Sequence, residues 1–587
     1  MCGILAYIGS RPPTGFRGAL DTLSHRGPDA VGLYQAPSGR AALGHRRLAI
    51  IDLSEAGNQP LFNEDRSLAL VCNGEIYNYP VLRRELERLG HRFASDSDSE
   101  VILHAYEEWG TGCLDRFLGM FAFMLHDARS DEIFAARDHA GIKPLCYAVL
   151  PDGLLLASDA RAILPLLADR RLNRRAACHL LTLGYVPAPL SIWEGVSKLE
   201  PGHWLLARDG RIDVRRWWTP PADLDPSLAP EDFPALFEEA VADHLLSDVP
   251  VALFLSGGMD STAVALAAGA RGTKPIAFTV SFPDSPSDEK PIAASVAASM
   301  GLDHRVRDLS VNDVDALLGT TMAAFDEPQG YSALLSMMLV SRAAAADFKV
   351  VLSGDGGDES FAGYTWYGKA GAGVRPRGLL GRLLDRLRPP RPATWSEFAR
   401  LSPLAAHARQ LFPRFLPHEA GELLGVEFGM ADMLAPLERH FEPDLPLVRA
   451  LQRVDLMTFC TDSILAKVDR ASMAHSLEVR VPFLDRRVIE FGLRLPVAES
   501  HQPKHAVRRY LETRGAPREV MDHPKQGFSL RCLNALDWGR IASALRSGTL
   551  VSSGVIPESR ITACDLGAPG RVWTLLQFEI WARKWIL

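Results

Sequence analysis

Residues Val251 to Ala270 read as a short apolar run, VALFL, a loop, SGGMDS, and an alanine-rich helical stretch, TAVALAAGA. A strand that ends in two glycines and feeds a helix leaves backbone N–H groups free to approach phosphate oxygens. The hydroxyls of Ser256 and Ser261 add donors, and the helix amino terminus favours negative charge. No Gly-Lys-Ser/Thr follows, so the loop is not a Walker A motif. Two more apolar runs, IAFTVSF from Ile276 and KVVL from Lys349, alternate with alanine-rich stretches, the pattern of a buried parallel sheet. The second half of the chain is therefore expected to be doubly wound.

A second polar loop, SGDGGDE from Ser353 to Glu359, follows KVVL. Both loops should lie at carboxyl ends of parallel strands, where open α/β sheets bind ligands. Asp260 and Asp355 are placed to hold Mg²⁺ across phosphates, a task for one or two carboxylates plus water. A calcium loop is the competing reading, but EF-hand spacing is absent. Lys525, in PKQGF, is the cation expected on the phosphates, where charge builds as a phosphate leaving group departs.

The first half offers a different chemistry. Cys2 follows Met1, a context in which the initiator is trimmed, and a terminal cysteine carries its own base: an α-amine with a pKa of about 7.7 to 8.0 can take the thiol proton. NGEIYN, Asn73 to Asn78, follows the apolar run LALVC, so the Asn73 amide and the Gly74 N–H fall at a strand end as donors for an oxyanion. An Asn-Gly hairpin turn is the alternative. Arg47 and Asp98 are a guanidinium and a carboxylate suited to the two ends of a free amino acid. Leu82, Leu86 and Leu89 recur at helical spacing, and this half reads as a layered α/β or α+β domain.

Composition narrows the function classes. Sixty-four Lys+Arg against 71 Asp+Glu leave a net charge of −7 over 587 residues, which argues against a nucleic-acid or anionic-membrane binder. Eight scattered cysteines without a Cys-x-x-Cys pair fit a reducing cytoplasm. No apolar run reaches the ~18 residues of a membrane helix, and no export signal is read. The length suggests two to four domains at roughly 150 residues each. The Pro-rich acidic stretch 219–230 is the expected linker between units at 1–218 and 231–587. A basic stretch between Gly371 and Thr394 reads as a solvated insertion, with polyanion binding as the alternative.

MCGI, HRGPD (His25 to Asp29), RLAIIDLS, NQPL, NGEIYN, SDSE, GMFAF and ARDHAGIKPL resemble, in order, the class II glutamine amidotransferase domain, an N-terminal-nucleophile fold with an αββα sandwich. SGGMDS, SGDGGDE, DRASMAHSLEVRVPFLD (Asp469 to Asp485) and PKQGF resemble the ATP-pyrophosphatase domain of glutamine-dependent asparagine synthetases. The resemblance implies that Cys2 attacks the glutamine amide and releases ammonia through a thioester, with Asn73 and Gly74 as the oxyanion hole. Arg47, Ile51 backbone, Glu75 and Asp98 would hold glutamine. It further implies that Ser256, Gly257, Gly258, Asp260 and Ser261 bind pyrophosphate, and that Phe254, Leu255, Val280, Ser353 and Gly354 contact the adenylate. Asp355 would serve acyl-adenylate formation, with Ser332 and Glu359 on the acceptor side. The substrates implied are glutamine, ATP with Mg²⁺ and a carboxylate, with L-aspartate heading the list and ammonia passing through an internal tunnel; a homodimer is compatible with this reading.

Two departures bear on the acceptor. After Asp326, Glu327 and Pro328 the chain has Gln329, Gly330 and Tyr331 where these synthetases carry an acidic or polar residue before the Ser-Ala pair, and Arg531 stands where a proline is usual. Another carboxylate, such as a sugar uronate or a biosynthetic intermediate, is the runner-up acceptor. A ring-closing cyclase or regulatory module with a dead glutaminase is the rival of a different class, and the presence of Cys2, Arg47, Asn73, Gly74 and Asp98 argues against it.

Overall fold

The computed structural model describes residues 2–281, 288–309, 321, 324–369, 394–496, 503–522 and 537–586. The basic stretch, apart from Thr394, lies outside them, as do Lys525 and Arg531.

Twelve strands build the first half: β1 (Gly3–Gly9), β2 (Ala30–Gln35), β3 (Ala41–Arg47), β4 (Leu61–Phe62), β5 (Leu68–Ile76), β6 (Gly119–Asp127), β7 (Glu132–Arg137), β8 (Cys146–Leu150), β9 (Gly153–Ala157), β10 (Val196–Lys198), β11 (His203–Arg208) and β12 (Arg211–Arg216). They form two six-stranded sheets, ordered β10-β8-β9-β1-β3-β2 and β12-β11-β7-β6-β5-β4. The sheets pack face to face through alternate small and branched side chains, Ile4, Ala6 and Leu43 from one and Ala69, Val71 and Met124 from the other. The opposite face of β5, with Leu68, Leu70 and Cys72, is covered by helices α1 (Tyr79–Leu89) and α2 (Glu100–Trp109). The outer face of the other sheet, with Leu5 and Tyr7, packs on Phe16, Ala19 and Leu20 of a short helix. This is the expected αββα sandwich. On α1 only Leu82 and Leu86 are buried; Leu89, in the last turn, points to solvent.

The second half is built on a five-stranded parallel sheet, β13 (Val251–Phe254), β14 (Ile276–Ser281), β15 (His304–Asp308), β16 (Val350–Leu352) and β17 (Glu478–Arg480), ordered β15-β14-β13-β16-β17. Helix α3 (Met259–Ala270) follows β13 after a four-residue loop and buries Ala263, Val264, Ala265, Ala267 and Ala268 in the core beside the sheet. Residues 217–229 contain no helix or strand. They are tied to the second half all the same: Trp218 Nε1 donates to Glu490 at 2.9 Å, and the Asp225 N–H to the Arg494 carbonyl at 2.9 Å.

Candidate active sites

The NGEI segment is strand, not hairpin. Asn73 and Gly74 pair with Ala122 and Phe121 of β6, well inside β5. Asn73 lies on the face that looks into the sandwich, and its Oδ1 accepts the Cys2 backbone N–H at 2.8 Å. The Asn73 Nδ2 is buried and has no hydrogen-bond partner, so the amide that holds the Cys2 nitrogen keeps a spare donor. Gly74 has φ +150°, and a Cβ there would stand 2.0 Å from the Met120 carbonyl; only glycine fits. Burial raises the Cys2 thiol pKa, and Glu478 and Glu75 push it the same way, while the Leu48 N–H favours the thiolate. At rest Cys2 is therefore a protonated thiol in need of a base.

Of the four residues expected to hold glutamine, Glu75 raises the Cys2 thiol pKa, and Arg47, Ile51 and Asp98 are linked through their loops. The Arg47 guanidinium reaches from the end of β3 into the 51–58 loop, donating to the carbonyls of Ser54 (2.9 Å), Ile51 (3.2 Å) and Asp52 and to Asn58 Oδ1 (2.8 Å). That loop is pinned to the one carrying Asp98 by the Asp96 N–H on Asp52 at 3.0 Å. Asp98 accepts the Ile76 N–H at 2.7 Å, and burial, with Glu478 nearby, pushes its carboxyl up to about 6. Burial and the same neighbouring carboxylates hold Glu75 well above the usual range.

Two residues of β17 complete the site from the other half of the chain. Arg480, fully buried, bonds Glu478 at 2.7 Å, lies 3.4 Å from Glu75 and donates to the carbonyls of His244 and Leu246. Arg26 crosses in the opposite sense: its Nε holds the Cys2 carbonyl at 3.1 Å, and its two terminal nitrogens grip Asp469 at 2.9 Å each. HRGPD and DRASMAHSLEVRVPFLD contain Arg26, Asp469, Glu478 and Arg480, but nothing in either string says that one reads the other.

Both phosphate-type loops sit where the strand pattern puts them. Ser256 and Ser261 hydroxyls share a 3.1 Å hydrogen bond, the Gly258 N–H donates to Ser256 Oγ, and Gly257 takes φ +73°. The two loops touch: a Cβ on Gly354 would meet Asp260 Cβ at 2.8 Å, and one on Gly357 would meet Asp260 Oδ1 at 2.7 Å. Phe254 and Val280 are half-buried on neighbouring strands, whereas the Leu255 side chain is in the core, leaving only its backbone to a ligand. Ser353 donates its hydroxyl to Asp355 Oδ2 at 2.5 Å.

The sequence reading missed Lys504. Its buried ammonium ion-pairs with Asp260 and lies 2.9 Å from Asp358, which raises its own pKa. Lys467 stands 3.9 Å from Asp355. Asp260 and Asp355 supply hard oxygen donors of the kind Mg²⁺ takes, so the residues fit that ion, though a cation on Asp260 must share it with Lys504. Of the residues expected on the acceptor side, Glu359 is buried and accepts the Tyr364 hydroxyl at 2.6 Å. Ser332 precedes the helix Ala333–Ala344. Gly330 donates to the Gly184 carbonyl at 2.8 Å, and the Tyr331 hydroxyl to the Leu183 carbonyl at 3.1 Å. The Tyr331 ring packs on Phe459 (5.5 Å), which packs on Tyr364 (6.3 Å). Tyr331 thus reaches Glu359 through two intervening rings.

Between the halves lies a cavity of about 50 Å³ lined by, among others, Ile142, Cys146, Leu465, Asp469 and Arg470.

An αββα sandwich with a buried terminal-region thiol, joined to a parallel sheet with two phosphate-type loops, defines a two-domain glutamine-dependent amidotransferase. The family model for a glutamine amidotransferase domain matches residues 1–218, and that for asparagine synthase matches residues 232–583. The chain belongs to the glutamine-hydrolysing asparagine synthetase family. It is 34% identical to a provisionally named glutamine-hydrolysing asparagine synthetase of Mycobacterium tuberculosis, over 99% of this chain and 97% of that one. It is 29% identical to asparagine synthetase (glutamine-hydrolysing) 1 of Bacillus subtilis, over 95% and 91%. An amidase of Gibberella zeae is 33% identical over 62% of this chain and 59% of its own. Among the described residues no helix is long and apolar enough to cross a membrane.

Proposed function

We propose that the protein converts L-aspartate, L-glutamine and ATP to L-asparagine, L-glutamate, AMP and diphosphate. The observation that carries this reading is the pairing of two separate centres by residues each half lends the other: Arg26 on Asp469, and Arg480 beside Glu75.

In the first centre the Cys2 sulfur attacks the amide carbon of glutamine, and its proton passes to the α-amine exposed by removal of Met1. Asn73 Nδ2 and the Gly74 N–H face the tetrahedral oxygen, and such donors are worth about 10² to 10³ in rate each. Ammonia leaves, and water hydrolyses the thioester to glutamate. Arg47 recruits the glutamine carboxylate by exchanging some of its loop carbonyls, and Asp98, ionised, holds the amino group. In the second centre the acceptor carboxylate attacks the α-phosphorus of ATP and diphosphate leaves. The Ser256 to Ser261 loop cradles the diphosphate. Mg²⁺, held by Asp260 and Asp355, neutralises phosphate charge when bound. Ammonia, carried through the cavity between the halves, then displaces AMP. Lys525 is assigned to the leaving diphosphate.

Pyrophosphate release across a panel of carboxylates headed by L-aspartate, with mass detection of the amide, tests the acceptor. Aspartate-dependent release with asparagine formed is expected; release only with another acid would keep the chemistry and replace the acceptor. The observation favouring such a second reading is the Tyr331–Phe459–Tyr364 ring series behind Glu359, together with a relative named for a different activity. A homodimer and a cytoplasmic location remain part of the proposed reading.

A further inference from the structure

On the outer helical layer of the glutaminase half, Glu64, His91, His104 and Glu107 bring one donor atom each to within 4.8 Å of one another. They come from three places: Glu64 from the turn between β4 and β5, His91 from the residue after the Gly90 cap of α1, and His104 and Glu107 from adjacent turns of α2. His104 is completely buried, yet neither ring nitrogen makes a hydrogen bond. An imidazole buried without a partner costs stability unless something completes it.

The orientation of each group points inward. His104 turns Nδ1 toward Glu64 Oε2 at 3.7 Å, and its Nε2 faces Glu100 at 3.6 Å. His91 turns Nδ1 toward Glu107 Oε2 at 3.9 Å, and its Nε2 pairs with Glu108 at 3.4 Å. Each histidine therefore has an outer carboxylate behind it, and such a carboxylate, drawn in to hydrogen-bond distance, fixes a ligand imidazole's tautomer. The two carboxylates are split in the same way. Glu64 commits Oε1 to the Arg92 N–H at 2.7 Å, and Glu107 commits Oε1 to Asn63 Nδ2 at 3.3 Å, with Arg129 3.6 Å away. Glu64 Oε2 is left for the centre, and Glu107 Oε2 keeps only a long 3.5 Å contact with Asn63 Nδ2. Glu100 is itself fixed by the Ala94 and Ser95 N–H groups at 2.7 and 2.8 Å.

We propose that Glu64, His91, His104 and Glu107 form a structural zinc site that ties the β4–β5 turn and the end of α1 to α2. Two neutral imidazoles and two carboxylates make a charge-balanced, four-donor set, which suits zinc over the oxygen-only preference of Mg²⁺ or Ca²⁺. With all four positions supplied by the chain, the site is closed and structural. Zn–N and Zn–O distances of about 2.0 to 2.2 Å require the donors to draw in by around an ångström from their present spacing, a shift that rotation of the half-exposed Glu64 and Glu107 side chains can supply.

The test uses the full chain, stripped with a chelator and titrated with ZnCl₂, with stoichiometry and melting temperature as readouts, and with Co²⁺ as a spectroscopic probe of four-coordination. The native chain should bind one more equivalent of zinc than Glu64→Gln or His91→Ala, melt at a higher temperature with zinc than without, and give the intense visible absorption of tetrahedral Co²⁺. Either variant should weaken that equivalent by at least about tenfold. Because His104→Ala opens a hole in the core, the exposed Glu64→Gln carries the decision. Zinc binding of equal stoichiometry and affinity in native and Glu64→Gln chains, or no zinc-dependent rise in melting temperature, would overturn the site and leave an ion-paired histidine cluster.

Discussion

Arg480 lies 3.4 Å from Glu75 while its own carbonyl accepts the Ser353 N–H at 2.8 Å, so one residue of β17 touches both Glu75 of the first half and the SGDGGDE loop. Its guanidinium, fully buried, is the counter-charge for the buried Glu478. Arg480→Met should destabilise the fold by about 3 to 5 kcal/mol, the usual effect of stranding a buried charge. In the fraction that folds, glutamine hydrolysis should weaken along with ATP turnover. Chemical denaturation and the two half-reactions assayed separately check this; loss confined to ATP turnover would show that Arg480 serves one centre only.

Cys2→Ala should abolish glutamine-supported product formation and leave ammonia-supported formation close to native, since Asn73, Arg26 and the second centre keep their packing. Comparing the two nitrogen sources in one assay decides it. Glutamine-supported synthesis that survived would remove Cys2 from the reaction.

For Asn73→Ala the expected loss is two-fold in kind. The unpartnered Nδ2 is removed, so glutamine turnover should fall by about 10² to 10³, and the amide oxygen that holds the Cys2 nitrogen goes with it. Because an oxyanion donor acts on the transition state rather than on bound glutamine, the loss should be in kcat rather than KM, readable from steady-state glutaminase kinetics.

The pH dependence follows from Asp98. Its carboxyl, raised to about 6 by burial, is ionised only above that pH, so KM for glutamine should rise as pH falls through 6. The stability effect has the opposite sign. The folded state holds the proton more tightly than the unfolded chain, whose carboxyl titrates at about 3.9, so this contribution is complete below about pH 4 and is lost as pH rises toward 6. Asp98→Asn should flatten the KM profile in that window while raising KM at neutral pH.

Lys504→Met removes the ammonium from Asp260 and Asp358. Pyrophosphate release should drop by at least about tenfold and the optimal Mg²⁺ concentration should shift, with glutamine hydrolysis unchanged. Asp355→Ala should likewise stop pyrophosphate release and spare the glutaminase; loss of both activities would contradict two separable centres.

Much of this molecule is local and was therefore readable along the chain. A strand that ends in Ser-Gly-Gly and enters a helix can do little else, whereas β5 continues past LALVC to Ile76, where the chain alone suggested a strand end at Asn73, and alternation then turns Asn73 inward. The loops Ser256 to Ser261 and Ser353 to Glu359 follow their strands as those rules expect. Folding alone decided the rest. Arg26 meets Asp469 across 443 residues, Lys504 arrives on Asp260 from 244 residues away, and Arg480 approaches Glu75 because β17 joins the sheet edge nearest the glutaminase. Charge type at one position carries no information about a partner that far along the chain; only packing, which excludes water and forces each buried charge to find its opposite, determines the pairing.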